Sequence, residues 1–175
     1  MKRFIGCSSG FSSGCVPRAK RLQGDASLAR RRGMGKVMEK IELTNTYDEQ
    51  MVQSGYWRPE QVRSLEIEAL VGTGATMLIL PADIVARLGL TEQGRRKVVY
   101  ADGHEDEIPW IGGVRLKLLG REMIASALVV PAGTMALIGQ IPLEELDLVV
   151  DPKSRALRVN PASPDAPLLD LRAAA

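Results

Sequence analysis

The sequence predicts a mainly β domain, a small barrel or sandwich carrying one or two short helices. Three observations carry that expectation. Apolar and polar residues alternate over short segments, as half-buried strands require. Turn formers separate those segments, among them Gly72-Thr73-Gly74, Asp102-Gly103, Gly120-Arg121 and Asp151-Pro152. Only two windows keep helical spacing, and both are short.

The elements follow in order. Residues 36–43 partly alternate and read as a first strand, and residues 44–59 are polar, contain Gly55 and Pro59, and read as a connection. Residues 63–71 alternate again and end at the small-residue cluster 72–75. Residues 77–80 form an apolar run closed by Pro81. Ile84, Val85 and Leu88 have helical spacing between that proline and Gly89, the punctuation of a short helix. Residues 95–100 read as a strand entering an Asp102-Gly103 hairpin, with further strands over 108–119 and 123–130. Residues 136–139 are a short buried strand ending in glycine. Residues 142–146 make one or two helical turns with Pro142 in first position and acids near the positive end. A hairpin of 148–150 with 156–159 closes the pattern, and residues 161–175, with three prolines, read as a tail.

Charge divides the 175-residue chain. Residues 1–36 hold nine Lys/Arg against Asp25 alone, a net of +8, whereas residues 37–175 hold 14 basic and 20 acidic residues, a net of −6. The near-neutral total is therefore a poor guide to partners. Residues 1–35 lack apolar periodicity and are expected to be a disordered basic leader. Phe4-Ile5 is too short for a secretory core, which needs roughly 7–15 apolar residues. Met34 and Met38 stand where the pattern begins, so residues 1–33 are expected to lie outside the working protein, ahead of the true start. Arg30-Arg31-Arg32 reads as a solvated tail rather than a phosphate contact.

Composition excludes several functions. No apolar run reaches the roughly 18 residues of a membrane-spanning helix, so no membrane partner is expected. One histidine and two cysteines cannot furnish a structural zinc site, and no metal or cofactor is expected. Seven aromatics offer little for stacking on single-stranded nucleic acid, so none is expected as partner. Cys7 and Cys15 both fall in the leader, which removes thiol catalysis and disulfides from the domain and fits a reducing, cytoplasmic setting.

Three separated motifs point to a chemistry. A strand runs into Val71-Gly72-Thr73-Gly74-Ala75-Thr76, Ala101-Asp102-Gly103 follows 30 residues later, and Ala136-Leu137-Ile138-Gly139 precedes a short helix. In this order and spacing, together with Leu80-Pro81, Arg87-Leu88-Gly89-Leu90 and residues 143–151, the chain resembles the retropepsin-like aspartic proteases, in particular their bacterial single-domain forms. The resemblance spans about residues 36–160. It implies a closed β barrel, the single lobe of the acid-protease fold, working as a homodimer on peptide or protein. In that family the first motif reads apolar-Val-Asp-Thr-Gly-Ala-Thr. By the same resemblance, Thr73 would bond across the dimer axis and Gly74 would permit close backbone approach. Ala75, Ala101, Asp102, Gly103 and Ile138 would contact substrate or support its cleft, with Asp102-Gly103 as the tip of a flap over an extended peptide.

The departure falls at the reacting atom. Gly72 stands where the family carries its catalytic aspartate. Two carboxyls about 3 Å apart cannot both ionise, so one holds a proton while the other activates water. Glycine can neither accept nor donate that proton, and a symmetric dimer loses both carboxylates at once. The expectation is a family member without aspartic-type hydrolysis, Gly72 being either natural or a change from aspartate. A heterodimer with an aspartate-bearing paralogue would retain one carboxylate and weak activity.

Other readings of the same residues are plainer. Thr73-Gly74 and Asp102-Gly103 each suit an ordinary turn, which would make the chain a small β-barrel interaction module with no peptidase ancestry. Phosphate cradling fails, because Met77 stands where a dinucleotide fingerprint needs its third glycine and no Gly-Lys-Ser/Thr follows. Glu105-Asp106-Glu107 reads as a solvated acidic face, His104 as an exposed turn residue without triad partners, and Trp57 and Trp110 as packing residues.

Overall fold

A computed structural model describes residues 36–168 except 101, 152, 153 and 155. The expected leader over 1–35, the end of the tail and Ala101 lie outside the described residues. Nine strands are present among them: β1 Val37–Asn45, β2 Ser64–Val71, β3 Leu78–Pro81, β4 Glu92–Val99, β5 Glu105–Leu118, β6 Arg121–Val130, β7 Ala136–Ile138, β8 Leu148–Asp151 and β9 Ala156–Val159. Three short helices join them: α1 Thr46–Gln53, α2 Ala82–Leu88 and α3 Gln140–Glu145, with a 3-10 turn at Pro59–Gln61. No helix among the described residues is long and apolar enough to cross a membrane.

Six strands close a barrel in the order β1-β2-β7-β3-β6-β5, with β5 returning to β1. Among the described residues, the β4 strand adds outside β5 as an edge, and β8 pairs only with β9. Alternation drives the closure. Ile41 and Leu43 of β1 point inward with Leu78 and Leu80 of β3 and Ile111 and Leu116 of β5, all at most 1% exposed. Burying such side chains is the main favourable term holding the barrel together.

One strand turns the corner. β5 pairs with β4 over its first half and with β1 over Val114–Lys117, and its register with β6 shifts between Ile111 and Val114. The two residues inside that shift are Gly112 and Gly113, the latter at φ 72. A bulge at glycine lets the strand bend and exchange partners. A Cβ on Gly113 would sit 2.6 Å from Tyr47 and 2.9 Å from the Thr46 hydroxyl, which donates to the Gly113 carbonyl.

Two elements depart from expectation. Helix α1 lies inside the stretch read as a connection. Asn45 caps it, its side chain accepting the Tyr47 N–H at 2.9 Å, and Asp48 and Glu49 occupy the positive first turn. Its buried residues are Thr46 and Asp48, so it has no apolar stripe for a periodicity reading to find. Helix α3 starts at Gln140, after Gly139, and Pro142 is its third residue rather than its first. A mainly β barrel with few short helices is otherwise as expected, with three α-helices in place of one or two.

A buried arginine organises the end of the fold. Arg121, 7% exposed, donates to the carbonyls of Leu146 (2.6 Å), Asp147 (2.7 Å) and Ser163, and pairs with the Asp147 carboxylate at 3.4 Å. Asp147 in turn accepts from the Ser163 hydroxyl, the Asn160 amide at 2.7 Å and the Leu168 N–H at 3.2 Å. The stretch after β9, read as a tail, is thereby tied to the barrel as far as Leu168.

Candidate functional site

The loop from β2 to β3, residues 72–77, carries the first motif. Its backbone is fixed from below by the β7–α3 junction. Gly72 N–H donates to the Ile138 carbonyl at 3.0 Å, Gln140 N–H to Ala75 at 2.7 Å and Ile141 N–H to Thr76 at 3.0 Å. The parallel pairing Val71↔Ile138 sets this register. Gly139 permits it, because a Cβ there would fall 2.4 Å from the Met77 carbonyl and 2.7 Å from that of Ala75. Three bonds and one glycine hold a short, otherwise irregular loop in a single shape.

Gly72 is a different kind of glycine. Its φ lies outside the left-handed region, and a Cβ would meet only the Leu137 side chain, at 3.4 Å, an ordinary contact. The backbone at 72 is therefore compatible with a side chain. Gly74 has open space around its Cβ position as well. Thr73 and Gly74 are exposed and Gly72 is half-buried.

Opposite the loop stands the β4–β5 hairpin. Its turn is closed by Tyr100 N–H to His104 (2.8 Å) and Gly103 N–H to Tyr100 (2.9 Å), and Asp102 accepts the His104 N–H at 3.0 Å. The His104 ring stacks on Tyr100, centroids 5.8 Å apart. His104 thus belongs to the hairpin tip. Glu105, Asp106 and Glu107 are exposed, as an acidic solvated face should be.

Between loop and hairpin lies a cleft of about 500 Å³, within the usual ~300–1,000 Å³ of ligand sites. Residues 74–77 form one side and Arg96–Val99 of β4 with Tyr100 the other, with Ile79, Ile108, Leu128 and Val130 as an apolar floor. Of the residues singled out in sequence, Gly74 and Ala75 line it. Gly72 and Thr73 adjoin it in the same loop. Asp102 and Gly103 are at the hairpin tip beyond its lining, and Ala101 lies outside the described residues. Ile138, 0% exposed, does not reach the cleft in the single chain and instead supports the loop through its carbonyl.

Sequence reasoning missed the charged part of the lining, Arg96 and Lys97. Arg96 sits over the Trp110 ring, 4.5 Å from its centroid, which makes Trp110 a platform for the cation as well as a packing residue. A signal existed in Arg95-Arg96-Lys97, the densest basic run outside the leader. It also missed the pair that anchors α1 beside the barrel. Asp48, its side chain 3% exposed, accepts from Arg63 N–H, Nε and Nη2 at 3.1, 2.7 and 2.7 Å. Those bonds hold the Asp48 carboxyl below its usual range against the opposing effect of burial.

No protein-family model matches the chain, and no curated protein matches it.

Proposed function

We propose that this chain is a retropepsin-like aspartic endopeptidase family member without the catalytic carboxylate, and that it binds an extended peptide without cutting it. The observation that carries the reading is the cleft between the β2–β3 loop, with its Gly72-Thr73-Gly74, and the β4–β5 hairpin ending at Asp102-Gly103. The closed barrel, the loop fixed by Ile138 and Gly139, and the steric room at Gly72 support it. Two chains would pair as a homodimer, with Thr73, exposed in the single chain, bonding across the axis and the paired hairpins serving as flaps. A peptide would enter as an added strand, its backbone paired and its side chains seated in pockets. A chain without cysteine over residues 16–175 suits a reducing, cytoplasmic setting.

Chemically, the dimer would align water and carbonyl but offer no group to move a proton, so hydrolysis stops there. The test restores that group. Gly72→Asp and the parent chain are assayed on casein and on a mixed peptide library at about pH 5, where a shared-proton dyad operates. Cleavage by the aspartate form alone, with a dimer in sedimentation equilibrium, is the expected result. No cleavage by either form, together with a monomer, would overturn the reading in favour of a β-barrel interaction module with no peptidase ancestry.

A further inference from the structure

The cleft has a composition that selects among peptides. Its floor is aliphatic, from Ile79, Ile108, Leu128 and Val130, and among the described residues its only charged lining residues are Arg96 and Lys97. Among the described residues neither cation has an acidic partner within ion-pair distance. The acids of the hairpin lie across the ladder from the cations, Asp106 opposite Val98 and Glu107 opposite Lys97. Asp106 and Glu107 line a second hollow together with Arg95, and neither they nor Glu105 line the cleft. Asp106 is occupied with its neighbour's N–H at 2.7 Å.

The geometry also says how a peptide would meet these cations. Five consecutive residues of the strand side, 96–100, line the cleft. Alternate side chains of a strand point to opposite faces, so a consecutive run can line one hollow only through the strand's edge. Among the described residues β4 is the last strand of its sheet, paired with β5 alone. Its free edge is a template for one more strand. Residues directly opposite in such a ladder share a face, and Arg96 and Val98 share a face of β4. Arg96 is held there by stacking on Trp110, and the residue as a whole is exposed.

We propose that the cleft recognises an extended peptide with an aliphatic side chain in the floor and an acidic side chain two positions away, read by Arg96 with Lys97 in support. The inference rests on the peptide-cleft reading above and adds the class of sequence. Two cations flanking an apolar floor make no stripe of the kind that tracks a nucleic-acid backbone. The Arg96 guanidinium complements a carboxylate on its own face of β4, while Lys97, on the other face opposite Glu107, adds only to the surrounding positive field, and complementary charge in a cleft directs specificity.

The experiment uses the full chain and three fluorescein-labelled decapeptides. Each has one leucine in an alanine–serine background, with Glu, Gln or Lys two residues from it, and binding is read by fluorescence polarisation at low and at physiological salt. The Glu peptide should bind about five-fold tighter than the Gln peptide, with the Lys peptide weakest, and salt should narrow the gap. Arg96→Glu should reverse the order, Lys97→Glu should weaken it, and Arg95→Gln, outside the cleft, should leave it unchanged. If Arg96→Glu does not fold, as judged by circular dichroism, Arg96→Gln replaces it and should erase the Glu preference. Equal binding of all three peptides by the parent chain would overturn the acidic preference and leave a peptide cleft. Binding of none would overturn the peptide cleft itself, and the acidic preference with it.

Discussion

Gly139 and Met77 are in such close approach that a single added carbon on Gly139 would fall 2.4 Å from the Met77 carbonyl oxygen. This close approach accompanies the three backbone bonds that tie the loop carrying the first motif to the β7–α3 junction. Glycine at 139 is demanded by space, whereas glycine at 72 is not, since a Cβ there touches only Leu137 at 3.4 Å. The two positions should therefore respond oppositely to the same substitution. Gly139→Ala should cost about 1–3 kcal/mol, the usual penalty of overpacking, or more if the loop cannot shift. Gly72→Ala should be neutral or stabilising by about 0.4–1 kcal/mol, through reduced freedom of the unfolded chain. Urea denaturation of both variants decides it, and equal losses would refute the distinction.

Much of the barrel was legible in sequence because its strands are half-buried and alternate. Ile41 and Leu43 of β1 and Ile67 and Ala69 of β2 announce their inward face by spacing alone. The loop at 72–77 and the hairpin at Asp102-Gly103 were legible because glycine marks sharp turns. Helix α1 was not, because its stability comes from polar bonds to residues distant in sequence. Asn45 reaches Leu88, Thr46 reaches Gly113 and Asp48 reaches Arg63, contacts that no local pattern encodes. The cleft cations were likewise invisible as a site. Which of Arg95, Arg96 and Lys97 line the hollow depends on the edge position of β4, a property of the assembled sheet.

Asn45 joins two helices from one buried side chain. Its oxygen caps α1 at the Tyr47 N–H and its amide donates to the Leu88 carbonyl at the end of α2, both at 2.9 Å. Asn45→Ala removes a cap and leaves a buried carbonyl short of a donor, so a loss of about 2–3 kcal/mol is expected. Asn45→Asp keeps the cap but turns a carboxylate oxygen toward the Leu88 carbonyl, and should be no less destabilising. Urea denaturation at neutral pH measures both. An aspartate variant as stable as the parent would show that the bond to Leu88 contributes little.

The Asp48–Arg63 pair is asymmetric in exposure, 3% for the acid side chain and 43% for the base. Removing the base strands a buried carboxylate, whereas removing the acid leaves a guanidinium that water can solvate. Arg63→Ala should therefore destabilise more than Asp48→Ala. About 3 kcal/mol against about 2 kcal/mol is expected, since the open side moderates the full penalty of a buried pair. A pair of chemical denaturation curves tests the order, and the reverse order would contradict it.

Acid should loosen the end of the fold first. The Asp147 carboxyl is lowered from 3.8 to about 2, chiefly by the Ser163 hydroxyl, then by the Asn160 amide, the Leu168 N–H and Arg121. A depressed folded-state pKa means stabilisation that is complete above the unfolded value and is lost as the pH falls through the folded one. The window for Asp147 is thus about pH 4 down to about pH 2, and Asp48, also lowered, acts in the same direction. Protonating Asp147 removes the acceptor that ties Asn160, Ser163 and Leu168 to Arg121, so residues 160–168 should open before the barrel does. Hydrogen exchange at the Leu168 amide should therefore accelerate at acid pH, relative to its intrinsic rate, before that of Ile41 or Leu116. Asp147→Asn, which has no carboxylate to protonate, should exchange quickly at Leu168 at neutral pH too, and its stability should vary less across that window. Synchronous loss of protection at Leu168 and Leu116 would show that the segment unfolds with the barrel rather than ahead of it.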